Sequence, residues 1–148
     1  MALNPEYVGR VYGPGRPYEV SRVKIADFAD AIGEPSELCR DRDAAVKAGY
    51  PDVIAPPTFA IVISMSSAGE ANRDPGLGLD YSMVVHGEQS FAYSRPLHAG
   101  DVVVATTTIE SIKAVGALSM MVTSTDLTTI AGEHVCTARS TLVERGAS

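Results

Sequence analysis

A chain of 148 residues that is 45% hydrophobic and 20% charged can form one domain with its own core and is too apolar for a disordered chain. Its formal net charge is −6 and it has no basic run, which argues against nucleic acid as a partner. Residues 1–6 lack the basic and apolar regions of a signal peptide, so we expect a cytoplasmic protein. In that compartment Cys39 and Cys136, which lack CxxC spacing, are expected to be reduced thiols.

The first third of the chain predicts loops and short helices. Residues 7–17 are rich in Gly and Pro, which is typical of a surface loop, and residues 18–21 are a short strand candidate. Apolar residues near helical spacing predict a helix over residues 22–32, with Gly33 closing it. Residues 41–49 begin with acidic side chains and end with Gly, as a short polar helix would.

The most distinctive stretch is the charge-free run over residues 53–69. Pro56 and Pro57 suit a first helical turn, and the glycine at the end of the run offers a C-cap. We therefore predict a helix over residues 57–68 that is apolar or small on every side and hence almost completely buried. It is too short and too serine-rich to span a bilayer. The alternative is a buried strand, suggested by the β-branched residues 61–63, but the length and the prolines favour a helix.

Beyond residue 80 the apolar period changes from helical to alternating. Alternating and β-branched residues predict long antiparallel strands joined by tight turns, over residues 82–94, 101–114, 117–129 and 134–145. One buried helix followed by such strands predicts an α+β fold in which a sheet curls around the helix. This is the hot-dog architecture, here expected to form a single domain over residues 1–148.

Three short motifs connect this pattern with a known family. They are Ile54-Ala-Pro-Pro-Thr-Phe59, His86-Gly-Glu-Gln89 and Arg95-Pro-Leu-His-Ala-Gly-Asp101. With them the chain resembles the MaoC-like dehydratases, and in particular the N-terminal-type branch with the HadA-type subunits of actinobacterial (3R)-hydroxyacyl-ACP dehydratase. The resemblance implies a hot-dog lyase of fatty acid metabolism that acts on an acyl thioester carried by ACP or CoA, without a cofactor.

In the catalytic branch of that family, the loop between the two early helices carries a motif that resembles Gly-Asp-x-Asn-Pro-(apolar)-His-x-Asp. The matching stretch here keeps Gly33 and Asp41 but has Glu34 at the Asp position and Cys39 at the His position. A longer carboxylate is displaced from the productive geometry, and a free thiol is a poor base for handling water. The resemblance therefore implies a non-catalytic or weakly catalytic subunit whose partner chain supplies the Asp/His dyad.

The same resemblance implies an acyl tunnel along the central helix. The substrate-binding candidates are Pro57, Thr58, Phe59, Ala60, Ser64, His86 and Arg95. Arg95 and Arg139 are candidates for contacting a carrier phosphate. Two prolines at the helix start would also remove amide donors that polarise the thioester in the catalytic branch. No histidine stands at metal-ligand spacing from an acidic residue, so we expect no metal.

Two other functions stay open. One is an independent homodimeric hydratase or thioesterase that uses His86 and Glu88, and the other is a protein that binds acyl thioesters without turnover. Fold alone does not choose among them. In each case we expect a hot-dog dimer, homomeric or heteromeric, because the exposed edge strand of such a sheet needs a partner.

Overall fold

The computed structural model describes residues 3–146. It contains three α-helices, six strands and three short 3-10 helices. The α-helices are α1 Arg22–Ile32, α2 Arg42–Lys47 and α3 Ala60–Asn72. The strands are β1 Val11–Tyr12, β2 Tyr18–Glu19, β3 Val84–Tyr93, β4 Val102–Val115, β5 Leu118–Thr129 and β6 His134–Arg145. The 3-10 helices are Pro5–Tyr7, Glu37–Cys39 and Tyr81–Met83.

All six strands belong to one antiparallel sheet. Its order is β1-β4-β5-β6-β3, with β2 also paired to β4. The tight turns between β4 and β5 and between β5 and β6 pair neighbours in sequence, whereas β3 pairs with the last strand. Within the described part of the chain, β3 therefore lies at an edge and has one unpaired side. The four long strands begin and end within two residues of their predicted bounds.

The sheet packs around α3, as predicted for a hot-dog fold. Phe59, Ala60 and Ile63 are at most 2% exposed and belong to the same core cluster as Val103 of β4 and Leu127 of β5. α3 contacts β1, β4, β5 and β6, so one helix organises most of the sheet. Burial of this apolar surface is the main favourable contribution to folding.

The bounds of α3 differ from the prediction. The two prolines lie before the helix rather than in its first turn, and residues 57–59 form a turn in which the Phe59 N–H donates to the Pro56 carbonyl at 2.9 Å. The helix also continues past Gly69 to Asn72 and closes at Arg73. Ala71 explains the extension, because it is fully buried and its packing keeps the last turn helical.

The expected burial of α3 on every side is wrong for this chain taken alone. Met65 is 58% exposed and Ser66 is exposed beside it, whereas Ile63, Ser64 and Ser67 are buried. Only the surface turned to the sheet is covered. The uncovered stretch of α3 around Met65 and Ser66 carries no charge and is open to contact by a ligand or another chain.

The early part of the chain follows the prediction with one difference. α1 has the predicted bounds, and Gly33 closes it in the left-handed conformation with φ of 70°, which favours glycine. α2 begins after Asp41, whose side chain accepts from the first-turn amides. The predicted loop over residues 7–17 contains β1, because its backbone pairs with β4.

Candidate functional site

A groove runs along one face of α3. One section is a cavity of about 410 Å³, in which the helix contributes a stripe that includes Ile61, Met65, Ala68 and Asn72. Spacings of three and four residues place these side chains on one helix face. The opposite wall comes from β3, β5 and β6, with Thr123, Thr125, Ala138, Ser140 and Leu142 among its lining side chains.

A second cavity of about 510 Å³ adjoins the first at the start of α3. Pro57 and Thr58 line it from the turn before the helix, and Phe91 and Tyr93 line it from β3. Ile61, His86 and Gln89 line both cavities. The two therefore form one continuous groove from Pro57 to the end of α3, and the edge strand β3 is one of its walls.

The predicted substrate-binding residues divide into two sets. Pro57, Thr58 and His86 line the groove, as does Ser64, which is 4% exposed. Phe59 and Ala60 are fully buried in the core, where Phe28 packs edge-on against the Phe59 ring at a centroid distance of 5.4 Å. They hold the start of α3 in place and are not positioned to contact a ligand.

The Arg95 side chain forms ion pairs with acidic residues of this chain. Its guanidinium donates to the Asp101 carboxylate at 2.8 and 2.9 Å and to Glu133 at 2.7 Å. The hydrogen bond with Asp101 is the main reason why the pKa of Arg95 lies above its usual range. Arg139 is similarly occupied by Glu110 at 2.8 Å. These pairings leave neither arginine placed as a free contact for a carrier phosphate.

Glu34 and Cys39, at the degenerate dyad positions, are both engaged in the local packing and hydrogen bonding of this chain. Glu34 Oε1 accepts from the Ser36 N–H at 3.0 Å and so closes a local turn. Cys39 is 3% exposed and lies in the main core cluster. Burial raises the pKa of the Cys39 thiol, and the nearby Glu34 carboxylate raises it further. A neutral, buried thiol cannot exchange protons with a water in the groove.

His86 and Glu88 do not form a side-chain pair. The His86 Nε2 atom lies 3.0 Å from the Glu88 backbone carbonyl and 3.1 Å from the Ser140 hydroxyl. The strand register shifts between His86 and Glu88, and the Glu88 side chain instead lines a separate depression with Arg139 and Thr141. A bulge at Gly87 therefore separates the two groups that the sequence places close together.

Tyr93 is a site residue that the sequence reading missed. Its hydroxyl donates to the Pro57 carbonyl, in the turn that leads into α3. Burial raises the pKa of Tyr93 well above its usual range, so the hydroxyl stays protonated. Its period-two position opposite Cys136 in β6 was the available signal, because it places the ring on the helix side of the sheet.

The turn before α3 changes the expectation about amide donors at the helix start. The two prolines precede α3, so they do not replace its first-turn amides. Ile61 and Val62 donate to the carbonyls of Thr58 and Phe59 at 3.1 and 3.0 Å. These two amides are therefore engaged by backbone carbonyls of the preceding turn and are not free donors for a thioester carbonyl.

Two further features bear on the chemistry. In residues 3–146, no cluster of three or more His, Cys, Asp and Glu side chains is arranged to hold a metal ion. Over the same residues, no helix is both long and apolar enough to cross a membrane.

Comparison with known proteins identifies relatives along nearly the whole chain. The family described as "FAS1-like, dehydratase domain region" matches residues 6–138. A UPF0336 protein of Thermobifida fusca is 56% identical over 146 residues, covering 99% of this chain and 96% of the relative. A UPF0336 protein of Streptomyces avermitilis is 51% identical over 147 residues, covering 99% and 98% of the two chains.

Comparison with solved structures also identifies dehydratases. The HadBC (3R-hydroxyacyl-ACP dehydratase) complex of Mycobacterium tuberculosis matches with a TM-score of 0.84 and 26% identity, over 93% of this chain and 96% of that chain. A MaoC-like dehydratase matches with a TM-score of 0.88 and 29% identity, over 95% of this chain but only 43% of that chain. The ChsH1-ChsH2 complex of M. tuberculosis, at 20% identity and a TM-score of 0.69 over 92% and 90% of the two chains, shares the fold. The resemblance to MaoC-like dehydratases is confirmed, and this chain belongs to the FAS1-like dehydratase domain family, with a hot-dog fold related to hydroxyacyl-ACP dehydratase subunits.

Proposed function

We propose that this chain is the acyl-binding, non-catalytic or weakly catalytic subunit of a cytoplasmic (3R)-hydroxyacyl-thioester dehydratase in fatty acid metabolism. Its substrate would be an acyl group carried on ACP or CoA, and a partner hot-dog chain would supply the Asp/His dyad. The observation that carries the proposal is the burial of Cys39, 3% exposed, at the position where the catalytic branch has its histidine.

The chemistry explains why that observation matters. Dehydration requires one group to take the α-proton and another to protonate the leaving β-oxygen, both within hydrogen-bond reach of the substrate. Glu34 is held by the Ser36 amide, and the Cys39 thiol is buried and neutral. Neither residue is among those that line the groove. This chain on its own thus lacks a convergent acid and base at the positions that the family uses.

The groove supports the acyl-binding part of the proposal. Ile61, Met65 and Ala68 offer an apolar helix stripe opposite Ala138 and Leu142 of the sheet. An alkyl chain that lies along this stripe would remove apolar surface from water on both sides, which is the favourable term in such binding.

The unpaired edge of β3 supports a two-chain assembly. An exposed edge strand is a ready template for pairing with another chain. Two of the matching structures are described as complexes, HadBC and ChsH1-ChsH2. The MaoC-like dehydratase chain is more than twice the length of the matched region, which leaves room for a second unit of this size. We expect no stable monomer at micromolar concentration, and light scattering that reports 15.6 kDa there would contradict this expectation.

The decisive experiment measures hydration of crotonyl and longer enoyl thioesters. It compares this chain alone, a sibling chain from the same organism with an intact Gly-Asp-x-Asn-Pro-x-His motif, and the mixture. We expect this chain alone to be at least about 10³-fold slower than the sibling, because the loss of a general acid or base costs roughly 10² to 10⁴ in rate. Turnover near the sibling's rate, unaffected by Glu34→Ala and Cys39→Ala, would refute the subunit proposal.

A second candidate rests on His86, which lines both sections of the groove. An independent hydratase or thioesterase would use this imidazole as its acid or base. In that case His86→Ala would abolish turnover by the chain alone. Glu88→Gln would not, because the Glu88 side chain lies in the separate depression. Thioester binding without turnover, alone or with the sibling, would favour the third candidate, an acyl-thioester binding protein.

A further inference from the structure

The groove ends in a positive charge. Arg73 closes α3 and lines the 410 Å³ cavity. A Cβ atom built on Gly69 would lie 3.0 Å from Arg73 Nη1, so the guanidinium lies over the space that a side chain at Gly69 would fill. The arginines with an ion-pair partner in residues 3–146 do not include this one; they are Arg10, Arg22, Arg40, Arg42, Arg95 and Arg139.

Two of the acidic residues that follow Arg73 in the chain make hydrogen bonds to other residues. Asp74 accepts from the Tyr7 and Tyr12 hydroxyls at 3.3 and 3.0 Å and from the Gly76 N–H at 3.0 Å. Asp80 accepts from the N–H and hydroxyl of Ser82 at 3.0 and 2.6 Å. Glu70, one turn before Arg73, is exposed to solvent. None of these carboxylates forms an ion pair with Arg73 within residues 3–146, so the guanidinium charge is available to a ligand.

Asn72 adds an uncommitted polar group at the same place. It lines the cavity, and its Oδ1 atom is buried without a hydrogen-bond partner among the described residues. A carboxamide offers two N–H donors besides its oxygen, and the two ends exchange by rotation of the group. A buried polar group without a partner is costly, and a carboxylate relieves that cost when the carboxamide is rotated so that its N–H groups donate to the ligand.

The remaining helix face is apolar, from Ile61 through Met65 to Ala68. A matched ligand thus has an alkyl body and an anionic end. We infer that the acyl groups bound in this groove carry a carboxylate at the end remote from the thioester, and that Arg73 and Asn72 bind this carboxylate. The inference rests on the proposed acyl-thioester function.

The position of Arg73 favours a terminal carboxylate over a carrier phosphate. Pro57 and Thr58, at the start of α3, are where the family resemblance places the thioester. The helix from Ala60 to Asn72 is about 18 Å long at 1.5 Å per residue, and Arg73 lies at its far end. A carrier phosphate would lie beyond the thioester, on the side away from Arg73.

The test compares decanoyl pantetheine with the same thioester bearing a terminal carboxylate in place of its methyl group. Calorimetry on the assembled protein should show about three- to tenfold tighter binding of the carboxylate form, reduced by salt because Arg73 is exposed. Arg73→Met should remove the preference and Arg73→Lys should keep part of it. Arg16→Met, an exposed arginine outside the groove, is the matched control and should change nothing.

Each other outcome is decisive. If plain decanoyl pantetheine binds equally well, or the preference survives Arg73→Met, the carboxylate inference is wrong while acyl binding stands. If Arg73→Met instead weakens decanoyl 4′-phosphopantetheine and leaves the carboxylate preference intact, the guanidinium binds the carrier phosphate and the inference is also wrong. If neither thioester binds, the inference and the proposed function fail together. Circular dichroism checks that each variant is folded.

Discussion

Arg95 binds the Asp101 carboxylate through two hydrogen bonds, Nη2 to Oδ1 at 2.8 Å and Nη1 to Oδ2 at 2.9 Å. Asp101 is 6% exposed and also accepts from the His98 N–H at 2.9 Å. The pair joins the end of β3 to the beginning of β4. Within this motif, which contributes to the family resemblance, the arginine thus stabilises the connection between β3 and β4, and it lines neither section of the groove.

Replacing Arg95 should destabilise the protein. Arg95→Met leaves the Asp101 carboxylate buried without its main partner, and we expect a loss of about 2 kcal/mol in the free energy of unfolding, less than a fully buried pair would lose because Arg95 is partly exposed. Arg139→Met removes the exposed pair with Glu110 and should cost under about 1 kcal/mol. Urea denaturation measures both, and equal losses would contradict the structural role of Arg95.

The same carboxylate predicts how stability depends on pH. Burial alone would raise the pKa of Asp101, but hydrogen bonds from Arg95 and the His98 N–H outweigh it and hold the pKa below its ordinary value of 3.8. The stabilisation is complete above that ordinary value and is lost as the pH falls through it toward the lowered one. In Arg95→Met the hydrogen bonds from Arg95 are lost while the His98 N–H remains, so this contribution should become smaller. Unfolding free energies at about pH 5 and about pH 3, wild type against variant, test the difference.

Both thiols should be unreactive in the folded protein. Burial raises the pKa of Cys39, and it raises the pKa of Cys136 to about 11. Because the thiolate is the nucleophile, Ellman's reagent at about pH 8 should titrate neither group before unfolding. In urea both should react, and Cys39→Ala should leave one. Rapid labelling of Cys39 in the native protein would reopen a catalytic role for this thiol.

Tyr93 should anchor the turn that leads into α3. Tyr93→Phe removes the hydroxyl that donates to the Pro57 carbonyl, and we expect a loss of about 1 kcal/mol in the free energy of unfolding. Thioester binding should weaken with it, because Pro57 and Thr58 line the groove. Tyr18→Phe is the control, since the half-buried Tyr18 hydroxyl makes no hydrogen bond within residues 3–146. If both variants bind thioester like the wild type, Tyr93 has no positioning role.

The sequence by itself determined the elements and the family. Apolar periodicity predicted α1 and the four long strands closely, since helical and strand periods are local properties that short windows contain. The motif comparison alone placed Cys39 where the resemblance implies a histidine, and it led to the expectation of a subunit without a complete dyad. Three short motifs were enough to indicate the MaoC-like relationship.

Only the tertiary structure decided which groups meet. A bulge at Gly87 separates Glu88 from His86. Arg95, which the sequence made a candidate for contacting a carrier phosphate, is paired with Asp101. Packing against one sheet covers one face of α3 and leaves Met65 exposed, although the charge-free sequence predicted burial on every side. The physical reason is common to all three cases. Strand register, ion-pair choice and burial depend on residues far apart in the chain, and a local pattern of residue types contains no information about those contacts.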